Sequence, residues 1–213
     1  MNQKIKFITI SLSAILAVSS SAAVISADDK PLDVVLKAMR AQLDAKSYRA
    51  HITSSTSKGT NSTMVVEYVA PDRYRMTRKS RAGAKSFDME YVIAGGGMYV
   101  KGPNGQWVKS PIDAGEMIKA FRDPKMIEEL TKTADVKLVG PDMLEGMPML
   151  VYQYTQTNPL GINLKSIAKT WLAVADGLPR QTETEGEFEG MKTKTLVRIS
   201  DYNSDIKIES PVK

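Results

Sequence analysis

The chain has 213 residues, 42% of them apolar, with no cysteine, one histidine, and 29 basic against 24 acidic side chains. That length suffices for one sizeable core in one domain, and the composition excludes disulfides, cysteine nucleophiles and the familiar cysteine- and histidine-based metal sites. A net charge of +5 spread along the chain with no accompanying motif argues against a nucleic-acid partner.

Residues 1–27 place Lys4 and Lys6 ahead of an apolar run from Phe7 to about Val18 and close on small residues at Ala27. This is the layout of a cleavable secretory signal, whose apolar stretch is too short to span a bilayer comfortably. Cleavage after Ala27 would leave a single domain over 28–213. It removes two lysines and no acid, so 27 basic against 24 acidic groups leave about +3. With no cysteine to carry a lipid, the expected address is the periplasm, without a lipid anchor.

Pro31 to Ala45 reads as an amphipathic helix with Leu32, Val35, Leu36, Met39 and Leu43 on one stripe. Pro31 suits a first helical turn, and Asp28 or Asp29 is placed to cap it. Strands are expected at about 48–57, 62–69, 72–79, 85–93, 97–101 and 106–109, separated by turn signals such as Lys58-Gly59, Ala82-Gly83 and Pro103-Asn104-Gly105. Short spacing of this kind predicts antiparallel hairpins in a meander. The most regular stretch runs from Met64 to Ile93. Met64, Val66, Tyr68, Tyr74, Met76, Phe87, Met89 and Tyr91 share a dry face, while Arg73, Arg75, Lys79, Asp88 and Glu90 take the wet one.

After Pro111 the pattern becomes helical, with a capping-box spacing at Asp113 and Glu116 and apolar Met117, Ile118 and Phe121, and Asp123-Pro124 starts a second helix. Helices inserted here can fold over the open face of the sheet beside the first helix. Strands resume at about 135–140, 148–157, 166–175, 178–188, 191–201 and 204–209, and Glu183, Glu185 and Glu187 face outward opposite Lys192, Lys194 and Arg198.

No motif carries a reaction. His51 stands alone, Gly95-Gly96-Gly97 is followed by a strand and lacks a phosphate-binding lysine, and pairs such as Asp88/Glu90 have strand spacing without the aromatic platforms of a sugar cleft. Catalytic, cofactor and metal residues are therefore expected to be absent. What remains is the apolar side, supplied by twelve methionines, eleven of them after the initiator. Methionine adapts to irregular contents, so this is either a tolerant core or the wall of an apolar ligand site.

The order of parts resembles a known family. A helix ending Leu43-Asp44-Ala45-Lys46-Ser47-Tyr48 leads into Val69-Ala70-Pro71-Asp72-Arg73-Tyr74. A Met98-Tyr99-Val100 strand, a helical insertion, Thr170-Trp171-Leu172-Ala173 with Asp176-Gly177-Leu178-Pro179, and Ile199-Ser200-Asp201-Tyr202-Asn203 follow. This is similar to the LolA/LolB-like outer-membrane lipoprotein-sorting superfamily, especially its LppX/LprG-like branch, over nearly the whole chain after residue 27. The resemblance implies an α+β fold, mainly β: a curved antiparallel half-barrel of about eleven strands covered by an N-terminal helix and a helical insertion. It also implies a non-enzymatic carrier of acyl chains, with lipid or acylated lipoprotein as cargo, inner- or outer-membrane lipid-transfer proteins as further partners, and a monomeric state. On that reading the cavity is lined by Leu36, Met39 and Leu43 of the helix, the eight dry-face residues of the sheet, and Met117 and Phe121 of the insertion. The family also includes regulators that bind a protein partner, so an envelope interaction module is the alternative. Where the lipoprotein carrier has an arginine before the motif proline, this chain has Ala70.

Overall fold

The computed structural model describes residues 29–111, 115, 118, 134–157 and 164–212. The expected signal segment and most of the helical insertion, Met117 and Phe121 included, lie outside the described residues.

The chain opens with α1 (Pro31–Asp44). Proline occupies the first turn, where its missing N–H costs nothing, and Asp33 adds a favourable charge to the positive end of the helix. The expected aspartate cap is not formed: Lys30 holds the cap position, without a side-chain hydrogen bond. Fourteen residues are marginal as an isolated helix. Packing holds this one, through buried Val34, Val35 and Ala38.

Eleven strands follow: β1 (Ser47–Thr56), β2 (Thr60–Val69), β3 (Arg73–Ala82), β4 (Lys85–Ala94), β5 (Gly97–Lys101), β6 (Trp107–Lys109), β7 (Asp135–Leu144), β8 (Met147–Thr157), β9 (Leu164–Ala173), β10 (Pro179–Phe188) and β11 (Met191–Ser200). They form one antiparallel curved sheet in the order β6-β5-β4-β3-β2-β1-β11-β10-β9-β8-β7. It consists of two meanders joined at one seam, where β1 and β11 pair from Arg49↔Ser200 to Thr56↔Thr193. Strands run further into their hairpins than the alternation alone suggested. β3 reaches Ala82, and β7 continues to Leu144 through a bulge at Gly140 and a turn in which Glu145 and Gly146 both take positive φ.

The expected strand at 204–209 is absent. Asp201 and Asn203 take positive φ and turn the chain off the sheet, and Asn203 is tied back by its N–H to Ser47 O at 2.9 Å and by its Oδ1, which accepts from Lys46 N at 2.8 Å. The segment then packs Ile206 and Ile208 against Val92 and Ala94 on the outer side of the sheet. Burial of two isoleucines replaces a ladder there.

Cross-strand partners share a face, so the register sorts every strand residue. The inner face carries Tyr152, Leu150, Leu172, Val136 and Leu138 on β7–β9, which pack with α1. The outer face carries the charges: Lys79 opposes Asp88, and Lys194 Nζ reaches Glu185 at 2.7 Å.

Candidate functional site

Four transverse rows build the inner face on the β1–β5 side. Nearest the start of β1 lie Tyr48, Tyr68, Tyr74, Ile93 and Met98. Next come Ala50, Val66, Met76, Tyr91 and Val100, then Ile52, Met64, Arg78 and Met89, then Ser54, Ser62, Ser80 and Phe87. Met64, Val66, Tyr68, Tyr74, Met76, Phe87, Met89 and Tyr91 thus all occupy inward positions on three adjacent strands. Period-two alternation in three ten-residue strands in regular register puts them there.

The rows differ in burial, and that difference grades the site. Tyr68 is fully buried, its ring 5.0 Å from Tyr48 and 4.9 Å from Tyr74, so the first row is an aromatic floor. Tyr202 extends it, 6.0 Å from Tyr48, with its hydroxyl donating to Pro179 O at 2.9 Å and the Arg180 guanidinium 4.9 Å from its ring centre. Burial pushes the Tyr202 phenol well above its ordinary range. Met64, Val66, Met76, Met89 and Tyr91 are only half-buried. Phe87, in the outermost row, is 53% exposed. Within this patch the Tyr91 hydroxyl donates to Met89 Sδ at 2.8 Å.

Cover comes from two sides. α1 lies over β7–β9, where Val34, Val35, Ala38, Leu150, Tyr152 and Leu172 form a buried cluster with Met39 against it. On the other side Ile118 of the insertion packs on Ile93, with Tyr74, Met76 and Met98 around it. Met39 therefore joins the packed cluster, while Leu36 and Leu43 are half-buried on a helix side turned away from its buried centre. The stripe from Leu32 to Leu43 does not face the sheet squarely, and Leu32 is exposed. Small residues at 34, 35 and 38 let the helix axis come closer to the sheet than leucines would.

The inner face is not uniformly apolar. On β9–β11 it presents Thr170, Thr182, Thr184, Thr193 and Thr195, and these pair in part with one another: Thr170 and Thr182 hydroxyls lie 3.0 Å apart, Ser54 and Thr195 2.9 Å. Placing Glu183, Glu185 and Glu187 outward already implied that the alternate threonines point in. Arg78 is inward too, one alternation step beyond Met76.

His51 is exposed on the outer face, paired in register with Val65 and Arg198. Among the described residues no group of three or more His, Cys, Asp or Glu side chains converges. An open depression of about 820 Å³ lies at the far ends of β1–β4, β10 and β11, but most of its lining faces outward and is polar, with the charged Lys79, Arg81, Asp88, Glu183 and Glu185 among it. Its lining is mainly short hydroxyl and charged side chains, with Leu196 as its large apolar residue. The methionine and aromatic patch is the surface that departs from a solvated one.

No family model matches this sequence, and no curated protein matches it. Solved structures do. The Mycobacterium tuberculosis lipoprotein LppX aligns with a TM-score of 0.57 at 12% identity, covering 84% of this chain and 97% of its own. LprF from Mycobacterium bovis aligns at 0.57 and 11% identity, covering 85% and 96%. The fold is that of LppX and LprF, an open curved antiparallel sheet of the α+β class.

Proposed function

We propose that this protein is an exported, non-enzymatic carrier that holds the acyl chains of a lipid or lipoprotein against the inner face of its half-barrel while they cross the periplasm. One observation carries the reading: Met64, Val66, Met76, Met89 and Tyr91 form a contiguous inward patch that stays half-buried although two helical elements pack nearby. A closed core would bury such residues fully. Methionine suits a surface that must fit flexible chains, and burying an acyl tail gains about 0.8 kcal/mol per methylene, so a long tail needs few specific contacts. The likeness to a mycobacterial lipoprotein and the signal-like residues 1–27 support an envelope address.

The test is native mass spectrometry of the protein purified from its own envelope, followed by solvent extraction, together with uptake of a fluorescent fatty acid by the wild type and by Met89→Asp. A co-purifying lipid or acylated peptide is expected, and probe uptake by a folded Met89→Asp is expected to fall at least about tenfold, because a carboxylate placed opposite Arg78 puts a polar pair where the tail would lie. A clean unliganded mass with no probe uptake would sink the carrier reading and leave the outer surface as the working face. Normal uptake by a folded Met89→Asp would show that the tail lies elsewhere.

A further inference from the structure

The inward positions of the sheet carry almost no charge. Through all ten strand pairings, every Asp and Glu in the register falls on the outer face, and only Arg78 and Lys85 bring charge to the inner one. Lys85 sits at the β3–β4 hairpin, opposite Ala82, where any exposed lysine is at home. Arg78 is different. It lies mid-strand in the third row, directly between Met64 on β2 and Met89 on β4, with the hydroxyl row Ser54, Ser62 and Ser80 on one side and the apolar row Val66, Met76 and Tyr91 on the other.

Its side chain is exposed and makes no hydrogen bond or ion pair among the described residues. On the opposite face of the same strand Arg75 is paired with Glu67 at 3.3 Å. A guanidinium needs carboxylate, carbonyl or phosphate acceptors for its five donors, and the paired strand positions of the inner face supply no carboxylate. With thioethers and not carboxylates as its cross-strand neighbours, such a group is left to attract an anion, and its planar fork engages carboxylate or phosphate oxygens in pairs.

We propose that Arg78 makes the inner face selective for amphiphiles with an anionic headgroup. The headgroup sits over Arg78 with its remaining polar atoms toward Ser62 and Ser80. The tail runs the other way, across Met76 and Tyr91 to the aromatic floor at Tyr68 and Tyr74. Four residues of strand at about 3.3 Å each separate Arg78 from Tyr74, so roughly 13 Å of apolar track lies beyond the cation, a length suited to an extended acyl chain. This rests on the carrier reading and adds the cargo's charge and its polarity along the track.

The experiment compares binding of lauroyl lysophosphatidylglycerol, laurate and neutral monolauroylglycerol to wild type and to Arg78→Met, with Arg78→Lys as the charge-retaining control and circular dichroism to verify folding. The wild type is expected to favour the two anionic lipids over the neutral one by about tenfold or more, the range of a charge-assisted pair. Arg78→Met is expected to bring that ratio close to one, and Arg78→Lys to keep part of it. Phosphate-selective or carboxylate-selective preference would separate the two headgroup chemistries, and either supports the assignment. No anionic preference in the wild type, or a preference that survives Arg78→Met, overturns it while leaving the carrier reading intact. Failure of the folded wild type to bind any of the three overturns both.

Discussion

At the scale of single residues, the aromatic floor is the part of the molecule least tolerant of change. Tyr68 is fully buried between the rings of Tyr48 and Tyr74, and its hydroxyl donates to Pro71 O at a long 3.4 Å. Truncating a buried aromatic removes its transfer energy and leaves a cavity that a stiff sheet closes poorly. Tyr68→Ala is expected to lower unfolding free energy by about 3–5 kcal/mol in urea titration; a loss below about 1 kcal/mol would mean that the floor repacks freely. Tyr68 was legible from alternation, because an aromatic at an inward position agrees with its chemistry. Arg78 was not. Its position follows from the same alternation, but an arginine looks like an outward residue, and only the fixed register with Met64 and Met89 overrides that impression.

Among the elements, β7 is the longer of the two edge strands, with no strand paired to its outer side among the described residues. Pro141 and the Gly140 bulge interrupt that edge and blunt it against pairing with other chains. The edge is also tied inward, because Trp171 on β9 donates its indole N–H across β8 to Asp142 on β7 at 2.8 Å. That bond, with a second from Met143 N, holds the Asp142 carboxyl below its ordinary value. A group whose folded pKa is depressed contributes stability that is fully present above about pH 4, the unfolded carboxylate value, and is lost as pH falls through the lower folded one. In a Trp107→Phe background, Trp171 fluorescence is therefore expected to titrate with a midpoint below about pH 4, and Asp142→Asn to abolish that transition. A midpoint at or above the ordinary carboxylate value would show the bond to be unimportant in solution. The existence of α1 was legible from its periodicity, but its docking face was not. Two apolar sectors lie side by side on the helix, and the sheet selects the one with small residues at 34, 35 and 38.

For the molecule as a whole, the architecture is an open sheet that keeps one apolar patch incompletely covered. A single seam, β1 with β11, joins the two meanders, and the C-terminal segment braces the outer side at Val92 and Ala94 through Ile206 and Ile208. A ligand that binds only this folded form stabilises it by mass action. A tail-bearing lipid at about 100 times its Kd is expected to add about 2.7 kcal/mol, and at about 2–4 °C per kcal/mol for a chain of this size the melting temperature should rise by about 5–10 °C. Differential scanning fluorimetry with and without laurate would read that shift. No rise at saturating lipid would mean that the patch is filled by the protein itself.

Alternation at period two, short turn-punctuated spacing and one amphipathic helix are local properties, so the sequence by itself determined eleven of the twelve expected strands, the meander and the inward set Met64, Val66, Tyr68, Tyr74, Met76, Phe87, Met89 and Tyr91. Local patterns carry no information about partners far along the chain. Tertiary structure alone decided that β1 pairs with β11, that residues 204–209 leave the ladder to bury Ile206 and Ile208, which sector of α1 meets the sheet, and that Arg78 is the one mid-strand cation among the thioethers. Those outcomes depend on registers and packing set between segments far apart in sequence, Lys46 and Asn203 being 157 residues apart.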